Sequence, residues 1–411
     1  MNSRPKGIIV LGPAWYSCGS YEVFKRQMHC MRSLGFKTYF LAVSPIITIG
    51  NSDPYWSYYY SMTTDLSADI HAHTGRSRFF FKHADFWTNL PALFGCSVAQ
   101  ARAINAGLMS IPQGLKQFIA AHDIDTVICH HYFNLPLALK IRKLLPGSKL
   151  ILETQDLQSN HYEKGNDVHL ITKRRSTFEE NLRDEIRIAS QADVLIHYNE
   201  DETAIFHKHM PQRPNMTVFP AFPRNYDALI NAGPVPDPYD FLIVASANDP
   251  NYHSICWFLE NVWSPELDAK FELRIAGNVD VLMTGRKNPL YEIYGKRFLG
   301  RVENLFELYQ NARHVLLPVS EGQGISIKTI ECLSFGKSII STPLAFRGFR
   351  ERVPEELFAE AATTAPQMRE KILAADVSSA PKQDLRVSNL YEDLFSLEAQ
   401  TAIYRSLVLN G

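Results

Sequence analysis

The sequence contains no run of about 18 apolar residues, the length a membrane-spanning helix needs, so no such helix is expected. It lacks an excess of either charge. Its 42 basic and 43 acidic side chains leave a formal net charge of −1, which does not support a general nucleic-acid binder. Cysteine is scarce and scattered: Cys18, Cys30, Cys96, Cys129, Cys256 and Cys332 include no CxxC pair. Free thiols in a reducing compartment fit that pattern better than a disulfide framework or a metal site. No GxxxxGK[ST] occurs, which excludes a P-loop. The first loop of the chain, Gly12 to Ser20, lacks GxGxxG, so dinucleotide binding is unsupported there. Residues 1–6 lead straight into Ile8-Ile9-Val10-Leu11, a run too short for a signal-peptide core. The expected location is cytoplasmic, with the inner face of the membrane as a peripheral alternative.

What is present is a globular composition: 45% apolar, 11% aromatic and 21% charged. A chain of 411 residues sets a prior of about two to three domains. Short apolar runs alternate with helical patterns. Residues 8–12 read as a buried strand, 21–34 as a helix with Phe24, Met28 and Met31 at helical spacing, and Gly35 as its left-handed cap. Further strands fit at 36–43, 126–132, 149–153, 193–197 and 216–219, with helices at 135–145 and 177–189. The proline-rich stretch 221–240 breaks the rhythm and reads as a linker. Strands then resume at 241–247, 272–276, 314–319 and 337–342, with helices at 252–262, 304–312 and 326–335. The stretch 389–411 reads as a C-terminal helix, expected to pack back on the N-terminal domain. This is an α/β pattern with parallel sheets. It divides into domains at 1–220 and 241–388, whose strand ends are expected to face a ligand cleft.

Residues 51–95 depart from the alternation. They concentrate Tyr55, Trp56, Tyr58, Tyr59, Tyr60, Phe79, Phe80, Phe81, Phe86 and Trp87 beside Arg76, Arg78, Lys82 and His83. One reading is an insertion packing aromatics into the first domain. The other is an acceptor-binding or membrane-touching surface. Asp123-Ile-Asp125, His71-x-His73 and His130-His131 are short polar clusters without the partners a metal site needs, and no metal is expected.

Chemistry concentrates in Pro318-Val-Ser-Glu-Gly-Gln-Gly-Ile-Ser-Ile-Lys-Thr-Ile-Glu331. A buried strand runs into a Gly-rich turn and then a helix, whose free N–H groups and partial positive charge make a phosphate site. Lys328 falls near the first helical turn, where the helix dipole disfavours a cation by roughly 0.3–1 kcal/mol, a sign that a bound diphosphate would reverse. Glu331, three residues on, shares a face with Lys328. It suits either a ribose diol or an i,i+3 salt bridge with that lysine.

Gly322-x-Gly324-x3-Lys328-x2-Glu331-Cys-Leu-x2-Gly336-Lys-x-Ile-Ile-Ser-Thr342, followed by Arg347-Gly348, resembles the donor-binding signature of family 4 glycosyltransferases of the GT-B fold. Ser246-x4-Asn251-x5-Trp257-Phe258, Phe271-Glu-Leu-Arg-Ile-Ala-Gly277, Gly300-Arg-Val-x-Asn304 and Tyr309 are similar to neighbouring parts of that domain, so about 240–350 is covered well. The first domain matches in outline only. The resemblance implies two Rossmann-like domains and a retaining, metal-independent transfer from a nucleoside-diphosphate sugar to a glycan or glycolipid acceptor, with no cofactor. It implies that Lys328 contacts the donor phosphates, Glu331 the ribose, and Gly324, Ile325 and Ser326 the diphosphate. Asn248 and Asn251 would line the same cleft, Arg347 would supplement Lys328, and Gly19 and Ser20 would approach from the first domain. His131 and Asp156 occupy positions facing the sugar and acceptor; a structural histidine and a helix N-cap are the alternatives. Two departures stand out. Where many relatives have the first Glu of Glu-x7-Glu, this chain has Gln323, with Glu321 two residues earlier. The loop 246–253 has neither the Arg nor the Lys that many relatives carry. An epimerase or hydrolase of the same fold, and a non-enzymatic partner-binding subunit, remain as alternative functions.

Overall fold

The computed structural model describes residues 4–13, 19–43, 66–74, 95–160, 176–225, 227–228, 238–322, 324–378 and 383–409. The aromatic-rich stretches 51–65 and 75–94, Gln323, and 226 with 229–237 of the proline-rich stretch lie outside them. Two compact units result: Met1–Pro220 with Gln400–Gly411, and Ala221–Ala399.

The first unit is a seven-stranded parallel sheet in the order β3-β2-β1-β4-β5-β6-β7. Its strands are β1 (Gly7–Pro13), β2 (Lys37–Val43), β3 (Ile70–Thr74), β4 (Thr126–His130), β5 (Lys149–Glu153), β6 (Val194–His197) and β7 (Asn215–Thr217). Every residue of β1 is buried, as expected for a strand covered on both faces. The helix Gly19–Ser33 follows β1 and buries Phe24, Met28 and Met31. Gly35 ends it with φ +87°. The helix Phe178–Ala189 starts in a reciprocal cap: Thr177 Oγ1 accepts the Glu180 N–H at 3.2 Å, and Glu180 Oε2 accepts the Thr177 N–H at 3.1 Å.

The second unit has a five-stranded parallel sheet, β10-β9-β8-β11-β12. It is built from β8 (Tyr239–Val244), β9 (Leu273–Ala276), β10 (Phe298–Gly300), β11 (Ala312–Leu317) and β12 (Ile339–Ser341). Gly277, just past β9, has φ +103°, and a Cβ there would stand 2.2 Å from the Ala245 carbonyl oxygen. Only glycine lets the ends of β8 and β9 approach this closely.

Three features differ from the sequence reading. The stretch 51–95 contains β3, an edge strand whose Ile-His-Ala-His-Thr pattern carries little apolar signal. Strand β10 was also missed, being three residues long. The C-terminal stretch is two helices, Leu385–Phe395 and Leu397–Leu409. Extended backbone at Ser396 divides them, and its hydroxyl donates to the Glu392 carbonyl at 2.7 Å and accepts the Ala399 N–H at 3.1 Å. Among the described residues, no helix is long and apolar enough to cross a membrane.

Candidate active site

In each unit the candidate residues collect at the carboxyl ends of the strands, where open α/β sheets bind ligands. In the second unit three loops contribute. The loop after β8 leads to Asn248, whose side chain caps the helix Asp249–Asn261 by accepting the Asn251 N–H at 2.9 Å. The Gly-rich loop after β11 leads to Ser326 and the helix Ile327–Ser334. The segment after β12 ends at Arg347.

Lys328 is partly buried beside Asn251, Ser254 and the ends of β8 and β11, which together line a small pocket. Its ammonium donates to Asn251 Oδ1, a neutral oxygen, and among the described residues it makes no ion pair. Asn251 is held in turn, its Nδ2 donating to Ser246 O at 2.9 Å and Ser246 Oγ at 3.0 Å. Burial, and secondarily the positive charge of Arg347, push the Lys328 pKa down to about 8. Two cations therefore stand together at the mouth of a helix whose first intrahelical bond begins at Thr329, and whose N-cap Ser326 makes no side-chain cap bond. Gly322, at φ +146°, makes room for Arg347: a Cβ there would meet the guanidinium carbon at 2.9 Å. This is an anion-seeking arrangement.

Glu331 does not pair with Lys328. It accepts a 2.9 Å hydrogen bond from the hydroxyl of Tyr309, a buried ring stacked on Phe335 at 4.1 Å. Burial raises the Glu331 pKa and the Tyr309 bond opposes the rise. Two cross-links tie the Gly-rich loop to the helix after β8. The Ser320 N–H donates to Ser254 Oγ at 3.1 Å, and Glu321 pairs with His253.

In the first unit, Gly19 and Ser20 open the helix Gly19–Ser33. His131 follows β4, wholly buried and stacked on Phe133 at 5.0 Å. Asp156 follows β5, partly buried, its N–H bonded to Thr154 O at 2.9 Å. His131 itself, at φ +62°, and Gln155, next to Asp156, at φ +66°, adopt left-handed backbone. Such conformations cost about 1–3 kcal/mol each and collect at functional sites. Beneath them lies a buried polar cluster of Gln27, His130, Glu153, Gln155, Tyr198 and Tyr404.

The structure thus gathers Asn248, Asn251, Gly324, Ile325, Ser326, Lys328, Glu331 and Arg347 in the second unit. Gly19, Ser20, His131 and Asp156 belong to the first. Sequence reasoning missed the His253–Glu321 pair, the Tyr309 support of Glu331 and the Glu153 cluster. Glu153, closing the expected strand 149–153, held a signal for the cluster, because a charged residue at the end of a buried strand requires partners. Among the described residues no group of three or more His, Cys, Asp or Glu is placed to hold a metal ion.

Residues 238–377 match the family model of glycosyl transferases group 1. No curated protein sequence matches the chain. Solved structures match it along its whole length. A sucrose-phosphate synthase from Thermosynechococcus elongatus aligns at TM-score 0.62 and 14% identity, over 99% of this chain and 100% of that one. A trehalose-6-phosphate structure from E. coli, bound with UDP-2-fluoro glucose, aligns at 0.61 and 11%, over 98% and 99%. Anabaena HepE in complex with UDP aligns at 0.60 and 12%, over 98% and 99%. The expected GT-B fold and the resemblance to this glycosyltransferase group are borne out.

Proposed function

We propose that this chain is a retaining glycosyltransferase that moves a sugar from a nucleoside-diphosphate sugar to a hydroxyl acceptor in cell-surface glycan or glycolipid synthesis. The observation that carries the proposal is the Lys328 ammonium. It is partly buried, has only a neutral amide partner among the described residues, and lies close enough to Arg347 to feel its charge, at a helix start behind a Gly-rich turn. A donor diphosphate supplies the negative charge that Lys328 lacks. In this scheme the bond from the anomeric carbon to the diphosphate oxygen breaks and the acceptor oxygen bonds to the same face. The acceptor proton passes to the leaving phosphate. Lys328, Arg347 and the helix N–H groups stabilise the charge developing on that phosphate, so no divalent cation or other cofactor is required. Glu331, oriented by Tyr309, accepts hydrogen bonds from the ribose. Asn251 positions Lys328, and Gly324, Ile325 and Ser326 bring the backbone to the phosphates. His131 and Asp156 are assigned to the sugar and acceptor, with Gly19 and Ser20 approaching the donor from the same domain.

UDP is the first nucleotide to test, because UDP and UDP-2-fluoro glucose are bound in solved structures of the same fold. Thermal stabilisation against UDP, GDP, ADP, CMP and NAD, with and without EDTA, is the deciding experiment. A ligand at 100 times its dissociation constant adds about 2.7 kcal/mol, a visible shift. A response to one nucleoside diphosphate that is indifferent to EDTA supports the metal-free transferase. No response to any of the five, or one abolished by EDTA, overturns it.

A further inference from the structure

Glu153 ends β5 with no exposed surface. An uncompensated carboxylate is costly in such a place, and here three donors converge on it. Gln27 Nε2 and the Tyr404 hydroxyl donate to Oε1, the latter at 2.7 Å, and the Tyr198 hydroxyl donates to Oε2. The groups around it close a ring. His130 Nε2 donates to Gln27 Oε1 at 2.7 Å, and His130 Nδ1 accepts from Gln155 Nε2 at 2.8 Å. Gln155 Nε2 also reaches the Tyr198 hydroxyl at 3.1 Å. These bonds suit a neutral imidazole, and burial holds His130 well below its ordinary pKa. Glu153 is then the one charge of the ring.

The ring sits under both strained turns. Gln155 is itself the left-handed residue before Asp156, and His131, left-handed beyond β4, donates its N–H to the Glu153 carbonyl at 2.8 Å. Left-handed non-glycine backbone persists only where surrounding contacts over-determine it. Tyr404 lies on the helix Leu397–Leu409, which joins the C-terminus to this set of contacts.

We propose that Glu153 is a positioning residue: its ionised carboxylate, through Gln27, His130 and Gln155, fixes the two turns that carry His131 and Asp156, and Tyr404 makes the C-terminal helix a structural part of that site. The catalytic consequence rests on the transferase reading; the positioning does not. The titratable groups that feel Glu153 from the packed elements are Cys30 on the helix Gly19–Ser33, Cys129 and His130 on β4, Tyr198 after β6, and Tyr404. Among them Glu153, pushed up to about 7 by burial against its three hydrogen bonds, is the group that changes charge near neutrality.

The test is hydrogen exchange by mass spectrometry on the full-length protein and on Glu153→Gln, which keeps the size and removes the charge. Tyr404→Phe, which removes one donor, serves as a second variant if the first does not fold. At pH 8, exchange corrected for intrinsic rates should rise at least tenfold in peptides covering 131–134 and 154–158, with β8 and β11 unchanged. Release of UDP from UDP-glucose should fall as pH drops through about 7 in the wild type and stay at the low plateau throughout in Glu153→Gln, while the thermal shift with UDP persists in both. Exchange within twofold of wild type in both variants, or uniform loosening of the whole first unit, overturns the proposal. If wild-type protein releases no UDP, the transferase reading is at fault, and the exchange result still decides the role of Glu153.

Discussion

Lys328→Ala isolates the charge on which the proposed donor site depends. Burial, and secondarily the nearby charge of Arg347, hold the ammonium at a pKa of about 8 in the free protein. A bound diphosphate favours the charged form, and binding above pH 8 must therefore take up a proton. Affinity for UDP should be flat below about pH 8 and fall by up to about tenfold per unit above it, until the pKa of the complex is reached. A charge-assisted hydrogen bond contributes about 1.5–3 kcal/mol, so the alanine variant should bind UDP roughly 10- to 150-fold more weakly at pH 7. Stability moves the other way. With the folded pKa below the ordinary 10.5, the folded form binds fewer protons than the unfolded chain between about 8 and 10.5. The Lys328 contribution to stability therefore rises with pH across that window, and at pH 7 the buried charge costs at most about 3 kcal/mol. Lys328→Ala should therefore fold at least as well as wild type, and a loss of binding cannot be attributed to unfolding. The assay is calorimetric titration with UDP at pH 7.0 and 9.5, with thermal melts of both proteins. An alanine variant within twofold of wild type at pH 7, or a wild-type affinity unchanged at pH 9.5, would refute the assignment.

Three further outcomes are expected. Glu153, raised from 4.5 to about 7, binds an extra proton in the folded state across that interval. Stability should fall by about 3 kcal/mol as pH rises through the window, and Glu153→Gln should flatten the slope seen in urea denaturation at pH 5 to 8. Tyr309→Phe leaves the Glu331 carboxylate without its hydroxyl donor. The loss should be about 1–3 kcal/mol of stability, together with weaker UDP binding by titration. Gly277→Ala combines a left-handed φ with a 2.2 Å approach to Ala245 O, so it should lower the melting temperature sharply, whereas Gly285→Ala, with open space around its Cβ position, should change it little.

Parallel α/β organisation was legible because it is local: fully buried strands read as unbroken apolar runs, and helices repeat with their own period. The second-unit site was legible for a related reason. Gly322, Gly324, Lys328 and Glu331 fall within ten consecutive residues on one strand–turn–helix, so their spacing alone placed them together. Strands β3 and β10 were not legible, because five mixed residues at the edge of the first sheet and three residues at the edge of the second carry little hydrophobic pattern.

The sequence by itself determined the layer type, the position of the Gly-rich turn and the residue types on it. The tertiary structure decided which of those residues act together. It joined Lys328 to Asn251 and not to Glu331, and Glu331 to Tyr309, 22 positions away. It also brought Gln27 and Tyr404, 377 positions apart, onto one carboxylate. Hydrogen-bond partners and desolvation depend on which strand ends the parallel crossovers bring side by side, and that adjacency has no local imprint in the chain.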